Sequence, residues 1–303
     1  MESLSVIIPV YNAAPWIEAC IRSVVSQVCD CTPEIIIVDD GSTDNTPDII
    51  SRFKNIARVI TLQHSGQAYV RNTAIKHSSG KCLMFVDADD MLSPGAIDTL
   101  AKIMNATGAP IACAPLSRRH HAISGEPHTE IFDSHIAVEK LLYQTNPALN
   151  SSLGGKIFDR RIFNEIRFWD NHLYEDLEIM PRLFLRAGSI AVTSSPLYFY
   201  RRNPLSTLSV WCDRRKDMID VVQRIITLPE IETDPILYRA AADRCFSAAC
   251  NCLINMWRHN DNDTATIARC RSILKNTRRS SLFNPRARLK NRLTAAALSL
   301  LPL

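Results

Sequence analysis

The first hundred residues constrain the fold more than any other part of the chain, because short, wholly apolar runs alternate there with helical patterns. Leu4–Val10 is a β-branched run. From Pro15 onward, Ile17, Cys20, Ile21, Val24 and Val25 fall on one helical face. Residues 34–38 form a second apolar run that ends in Asp39-Asp40-Gly41-Ser42, and Thr46 starts the next helix with Pro47 at its first position. Residues 59–62 read as a third strand, Gln67–His77 as a helix and residues 82–86 as a fourth strand. Ser93-Pro94 then opens a helix carrying Ile97, Leu100, Ala101 and Met104. Strands apolar on both faces, alternating with helices, specify βαβ units. The chain is therefore α/β, with a mostly parallel sheet flanked by helices.

Beyond Pro110 the pattern loosens. Residues 111–114 read as a strand, 118–127 as a polar loop and Ser134–Tyr143 as a helix. Residues 177–187 repeat apolar side chains at helical spacing, with Pro181 either kinking that helix or falling in its first turns. Residues 197–201 form a short aromatic strand, and from Trp211 the chain reads as mainly helical. At 46% hydrophobic and 22% charged residues, the composition is that of an ordinary globular protein, and 303 residues suffice for a full core. The N-terminus lacks a basic segment, an apolar stretch of leader length and a small-residue cleavage site. No window of eighteen residues is uninterruptedly apolar. These features predict a cytoplasmic chain, and the ten cysteines are accordingly expected to be reduced structural thiols.

The net charge of +4 hides an asymmetry. Residues 1–200 hold 17 basic and 22 acidic side chains, whereas residues 201–303 hold 18 and 9. After Asp263 there are nine Lys or Arg and no acid. In residues 284–303 bases come first and an apolar stretch follows, too short to span a bilayer. Such a segment lies against a membrane surface, packs on the protein's own core or forms a solvated basic face. No nucleic-acid recognition motif or aromatic platform accompanies the bases, so nucleic acid is not expected as a partner.

In open α/β sheets ligands sit beyond the carboxyl ends of the strands. Two acidic clusters stand at such ends, Asp39-Asp40 and Asp87-Ala88-Asp89-Asp90. Carboxylates one residue apart repel unless a cation intervenes, and hard oxygen ligands suit Mg2+ or Mn2+. The competing reading is a solvated acidic turn. Asp39 has the same ambiguity, as a strand-end acceptor for a nucleobase or ribose or as an ordinary turn former. No Gly-x-Gly-x-x-Gly follows the first strand, which argues against a dinucleotide-binding oxidoreductase. Tyr11-Asn12-Ala13-Ala14-Pro15 is neither glycine-rich nor basic, unlike the first loop of a nucleotidyltransferase.

Taken together, Val6-Ile7-Ile8-Pro9-Val10-Tyr11-Asn12, Ile37-Val38-Asp39-Asp40-Gly41-Ser42-Thr43-Asp44, Arg71-Asn72 and Phe85-Val86-Asp87-Ala88-Asp89-Asp90 resemble the family-2 glycosyltransferases of the GT-A fold in order and spacing. The resemblance is strong over residues 4–110, weaker to about 206, and absent beyond. It departs from the common pattern at Thr73-Ala74, where a glycine is often found. It implies a Rossmann-like GT-A domain over 1–210, divided into a nucleotide-binding half (1–110) and an acceptor half (111–210), with a helical basic extension over 211–303. Pro9, Val10 and Tyr11 would line the nucleotide pocket, Asp39 would bind the base, and Arg71 would lie near the nucleotide. Asp87 would face the ribose or sugar beside Ala88, and Asp89 would ligate the metal bridging the diphosphate.

Tyr174-Glu175-Asp176-Leu177 resembles the family's acidic pair at a helix start. That implies Asp176 as general base with Glu175 in support; read by itself, the pair is equally a helix-start cap. Lys156 stands where related bacterial enzymes carry a lysine, steadying donor or acceptor, or is a solvated surface lysine. Arg201, Arg202 and Ser206 follow the aromatic strand and would close over the diphosphate. The implied reaction is an inverting, metal-dependent transfer from a nucleotide-sugar donor, UDP being the commonest nucleotide, to a saccharide or lipid-linked acceptor in cell-surface glycan synthesis. The alternatives are a nucleotidyltransferase of related fold and a catalytically inactive sugar-nucleotide-binding protein.

Overall fold

The computed structural model describes residues 3–119, 128–203 and 210–299. The elements run β1 (Leu4–Val10), α1 (Ile17–Val25), β2 (Glu34–Asp39), α2 (Thr46–Ser51), β3 (Arg58–Thr61), α3 (Gln67–His77), β4 (Cys82–Phe85), β5 (Met91–Leu92), α4 (Ala96–Thr107) and β6 (Ile111–Cys113). There follow β7 (Leu116–Ser117), β8 (Thr129–Asp133), α5 (Ser134–Tyr143), β9 (Lys156–Asp159), α6 (Glu175–Ala187), β10 (Ser189–Thr193) and β11 (Tyr198–Phe199). Helices α7 (Asp217–Ile226), α8 (Pro229–Glu232), α9 (Pro235–Arg258), α10 (Thr264–Phe283) and α11 (Leu289–Ser299) complete the chain.

One sheet of eight strands, in the order β3-β2-β1-β4-β9-β6-β10-β8, carries the core. Strands β3, β2, β1 and β4 pair in parallel, as do β6 and β10, whereas β9 and β8 run antiparallel to their neighbours. Side chains along β1 alternate between two apolar clusters. Ile7 joins Ile36, Val38, Leu83 and Phe85 on the face covered by α3, α5 and α6. Val6, Ile8 and Val10 join Ile35, Ile37 and Met84 on the face covered by α1 and α4. A strand buried on both faces must be apolar throughout, which is the pattern the sequence carries.

Three strands of this sheet were not evident from the sequence. Thr129–Asp133 and Ser189–Thr193 pair at one edge, and Lys156–Asp159 is inserted between β4 and β6. Four residues with no clean alternation give no periodic signal, so β9 is defined by its neighbours. It makes the two halves one sheet. A second, three-stranded sheet, β5-β11-β7, sets the aromatic pair Tyr198-Phe199 between residues that follow the first and second halves of the main sheet.

The helical extension does not stand apart. Val221, Ile225, Ile231, Leu237 and Ala240 share the apolar cluster of α5 and α6, and a further cluster joins α7, α9, α10 and α11. All ten cysteines are free, and Cys245, Cys252 and Cys270 pack within that helical cluster. Helix α6 begins two residues before the sequence pattern suggested, and Pro181 lies inside it as the seventh residue, at the cost of one intrahelical bond. The tail also packs on the body. Asn284 Nδ2 donates to the Tyr143 hydroxyl (2.6 Å), Asn291 Nδ2 donates to Asp243 Oδ2 (2.9 Å), and Ala295 is buried, while Leu289 and Leu293 stay exposed. No helix among the described residues is long and apolar enough to cross a membrane.

Gly154 sits where β9 passes the second sheet. A Cβ there would lie 2.5 Å from Cζ of the fully buried Tyr198 ring. Gly154→Ala should therefore destabilise the fold by about 1–3 kcal/mol through overpacking, read as a lower urea midpoint with an unchanged slope.

Candidate active site

The first two βα loops lock together at the carboxyl ends of β1 and β2. Asn12, held in a left-handed turn, accepts from Thr43 N–H through Oδ1 (2.8 Å), and its own N–H donates to Ser42 Oγ (2.9 Å). Asp39 Oδ1 accepts from the Ser42 amide (3.0 Å) and hydroxyl (2.6 Å). Asp40 faces the other way. Its carboxylate accepts from the amides of Ser65 (2.8 Å) and Gly66 (2.9 Å) and lies 3.0 Å from His64 Nδ1, tying β2 to the start of α3. His64 stacks on Tyr11, with ring centroids 4.2 Å apart. Of the three residues expected to line a nucleotide pocket, Pro9 and Val10 are buried in β1 and only Tyr11 is exposed. No local pattern singles out His64, whose position follows from the loop geometry.

The acidic run does not continue as an extended strand. Strand β4 stops at Phe85, and the Asp90 amide donates to the Asp87 carbonyl (3.0 Å) in a turn. The turn splits the carboxylates. Asp87 Oδ1 accepts from Arg71 Nη2 (3.0 Å), whereas Asp89 Oδ2 accepts from Asn203 Nδ2 (2.8 Å). The Ala88 side chain is buried in the cluster beneath, so Ala88 offers only backbone to the site. The Tyr198 hydroxyl accepts from the Asp87 amide (3.0 Å), and Asp90 Oδ1 accepts from the Arg201 amide (2.8 Å). Burial, then the charges of Asp87 and Asp89, pushes the Asp90 carboxyl up to about 8, so it is protonated at neutral pH. The Asp89 carboxyl is raised too, by burial first, with the Asn203 bond opposing.

Arg71 is the centre of the arrangement. It projects from the inward stripe of α3 that Ala68 and Ile75 share, and only 4% of it is exposed. Nη1 donates to Glu175 Oε1 in a very short contact, Nη2 donates to Asp87, and the guanidinium lies over the Phe168 ring at 5.7 Å. Burial alone would lower its pKa, but the charges of Glu175 and Asp87 outweigh it and the pKa is raised. The residue expected near the nucleotide clamps the acidic run to the acidic pair of the second half.

Tyr174 has a left-handed backbone that turns the chain into α6, and Glu175 and Asp176 are the first residues of the helix. Asp176 Oδ1 accepts from the Leu177 amide (2.7 Å) and Oδ2 from the Ser151 hydroxyl (3.1 Å). Burial, then the Glu175 charge, pushes its carboxyl up to about 6, with Arg71 opposing. Lys156 is no surface lysine. It is wholly buried in β9, and Nζ donates to Asn150 Oδ1 (3.0 Å) and the Ser152 carbonyl (2.6 Å). Burial pushes its pKa down to about 8. It lies beneath the loop that positions Ser151.

Arg201 donates from Nε to the Asp89 carbonyl (2.9 Å), and its guanidinium lies over Trp16 (5.0 Å) and Phe199 (5.4 Å). It thus closes over the acidic turn, while Arg202 follows on the same segment and Ser206 lies outside the described residues. Among the described residues no three His, Cys, Asp or Glu side chains form a ready-made metal cage. A single-carboxylate site fits better. Asp87 is committed to Arg71, Asp89 keeps one oxygen beyond its Asn203 bond, and a diphosphate with water would complete the octahedron that Mg2+ or Mn2+ prefers.

The model of glycosyl transferase family 2 matches residues 5–167, more than half of the chain. The chain belongs to that family. Among its relatives, the glycosyltransferase GlyG of Streptococcus pneumoniae serotype 4 is 26% identical over 245 residues, which cover 75% of this chain and 80% of that protein. GlyA of the same organism is 27% identical over 241 residues, covering 75% of this chain and 34% of that one. The minor teichoic acid biosynthesis protein GgaA of Bacillus subtilis is 27% identical over 214 residues, covering 65% and 47%. This family-2 chain thus spans about a third to a half of some relatives and four fifths of another. The crystal structure of Staphylococcus aureus TarS 1–349 in complex with UDP-GlcNAc superposes with a TM-score of 0.71 at 20% identity, over 98% of this chain and 91% of that one. That likeness is one of fold, and it extends through the helical region, so the α/β GT-A domain with its helical extension is the architecture of the chain.

The clamp is the weak point of the site. Arg71→Met should leave the buried Glu175 carboxylate uncompensated and the half-buried Asp87 without its partner, and cost about 3–5 kcal/mol, measured by chemical unfolding at pH 8. The deficit should shrink toward pH 4, as the stranded carboxylates take up protons.

Proposed function

We propose that the chain transfers a sugar from a nucleoside-diphosphate donor, a UDP-sugar on present likeness, to a hydroxyl of a saccharide or lipid-linked acceptor in cell-surface glycan synthesis. The observation that carries this reading is the Arg71 clamp. It ties the acidic turn after β4 to Glu175 at the start of α6, next to Asp176, whose carboxyl pKa is raised. TarS, of the same fold, is described with UDP-GlcNAc, and GgaA is named for teichoic acid synthesis, which supports the donor and product classes. A nucleotidyltransferase is not favoured, since the loop after β1 is neither glycine-rich nor basic. The carboxyl poised at Asp176 speaks for a working site over an inactive one.

In this reading Tyr11 and His64 offer a stacking surface for the base, and Asp39 accepts from base or ribose through the oxygen that Ser42 does not hold. Asp89 would hold a divalent cation, which would offset charge on the departing diphosphate. Asp176 takes the proton of the acceptor hydroxyl, whose oxygen attacks the anomeric carbon from the face opposite the leaving group. That displacement inverts the anomeric configuration. The Leu177 amide and the Ser151 hydroxyl hold Asp176 in place, and Glu175 is engaged by Arg71.

A general base works only as its carboxylate, so log kcat/KM should rise with pH to a plateau, with an apparent pKa of about 6. Asp176→Asn should lower kcat by about 10²–10⁴, and Asp89→Ala by a similar factor. The Asp176 carboxyl binds its proton more tightly folded than unfolded, so it contributes stability at low pH that is lost as pH rises through about 6. Asp176→Asn should accordingly melt no lower than the unmodified protein at pH 8. Wild-type transfer by both variants, over a panel of nucleotide sugars with Mn2+, would refute the assignment.

The exposed Leu289 and Leu293, beside the exposed Lys290 and Arg292, support a peripheral contact with an anionic membrane. The double variant Leu289→Ser, Leu293→Ser should float with anionic liposomes less than the unmodified protein. Equal flotation would remove the contact.

A further inference from the structure

A cavity of about 210 Å³ opens beside Asp176, and none of the acidic run lines it. Its walls include Ser151, whose hydroxyl donates to Asp176, and Leu177, the residue next to it. The other polar walls are Gln144, Asn146, Asn150 and Arg244, and no carboxylate is among them.

The hydrogen-bond state of these walls is selective. The Asn146 side-chain oxygen accepts from the amides of Ala148 and Leu149, and the Gln144 oxygen accepts from Arg288 Nη1 (2.6 Å). Their acceptors are therefore occupied, and their NH2 donors remain. Arg244, from the middle of α9, makes no hydrogen bond or ion pair with any described residue, and its Nε is buried without a partner. Arg288 stands near enough to repel Arg244 electrostatically. It bonds only the neutral Gln144 and Ser247, and its Nε is buried without a partner as well. Neither guanidinium is hydrogen-bonded to a carboxylate, and the nearby charges of Asp176 and Asp243 do not outweigh burial and the Arg288 repulsion, which hold the Arg244 pKa below its usual value. A guest anion would offset the burial and the repulsion, and the planar guanidinium fork matches the oxygens of a phosphate.

We propose that this cavity binds a phosphate ester of the acceptor, held by Arg244 with help from the Gln144 and Asn146 amides. The anchored phosphate places a neighbouring hydroxyl at Asp176. The proposal rests on the sugar-transfer reading for the meaning of Asp176, and it makes the acceptor anionic. The phosphate would belong either to a soluble sugar or polyol phosphate or to a lipid headgroup, since both present the same group. It also accounts for why α9, from the helical extension, reaches the second half of the catalytic domain.

The test is calorimetric titration of the full chain with glycerol 3-phosphate, and with glycerol as the neutral control, in the unmodified protein, Arg244→Gln and Arg244→Lys. UDP is titrated into the same samples with Mn2+. Glycerol 3-phosphate should saturate a site that glycerol does not. Arg244→Gln should weaken that binding about tenfold or more, Arg244→Lys should restore part of it, and UDP affinity should stay unchanged. Equal binding by the unmodified protein and a folded Arg244→Gln, or no preference for glycerol 3-phosphate over glycerol in the unmodified protein, would overturn the proposal. The second outcome needs no variant, so a failure of Arg244→Gln to fold does not shelter the idea. A failure of UDP to bind beside intact, Arg244-dependent phosphate binding would instead count against the sugar-transfer reading. Arg244-dependent retention on phosphatidylglycerol vesicles but not phosphatidylcholine vesicles would assign the phosphate to a lipid, and its absence beside binding of the soluble ester would assign it to a soluble acceptor.

Discussion

The Arg71 guanidinium, shared between Asp87 and Glu175, is the interaction on which the arrangement of the site depends. It links a turn at the end of β4 to the first turn of α6, 104 residues apart for the Arg71–Glu175 bond. An ion pair in a buried place gains little net stability, because desolvation consumes most of the Coulomb attraction. Its effect is on position. With one cation between two carboxylates, neither acid can turn away without stranding charge, so the acidic turn after β4 and the start of α6 stay in register.

The same electrostatics sets the protonation states. Asp87, Asp89 and Asp90 lie within one turn, with Arg71 and Arg201 as the nearby cations, so burial and mutual repulsion raise Asp89 and Asp90. A divalent cation would relieve that crowding, and protonation of Asp90 relieves part of it from the protein's own side. Across the clamp, Arg71 pairs with Glu175, whereas Asp176 is held by the Leu177 amide and the Ser151 hydroxyl. Burial then brings Asp176 near the range in which a carboxylate makes an effective base. Two adjacent acids thus have different partners.

Beneath these charges the support is apolar and rigid. β9, inserted antiparallel between β4 and β6, joins the halves, and its buried Lys156 holds the loop that carries Ser151 to Asp176. The helices after residue 210 share the core of α5 and α6, and they bring Arg244 to the cavity beside Asp176.

Much of this was legible in the chain itself. The four parallel strands with their helices follow from wholly apolar runs, because burial on both faces permits little else, and the sites at their carboxyl ends follow from where acids interrupt those runs. The helix at residue 175 was legible to within two residues. Local pattern did not reveal which partner each polar side chain would find. Arg71 lies on the stripe of Ala68 and Ile75, so its burial was readable, but its counter-charges come from distant segments. Lys156 could be read as a solvated surface lysine because four residues of strand carry no periodicity, and His64 and Arg244 gained meaning only through loops and helices folded beside them. Periodicity is a property of neighbours along the chain, so sequence alone determined the layers and the acidic strand ends. Charge pairing and burial depend on neighbours in space, so only the tertiary structure decided which acids are clamped, which titrates and where an unpaired cation waits.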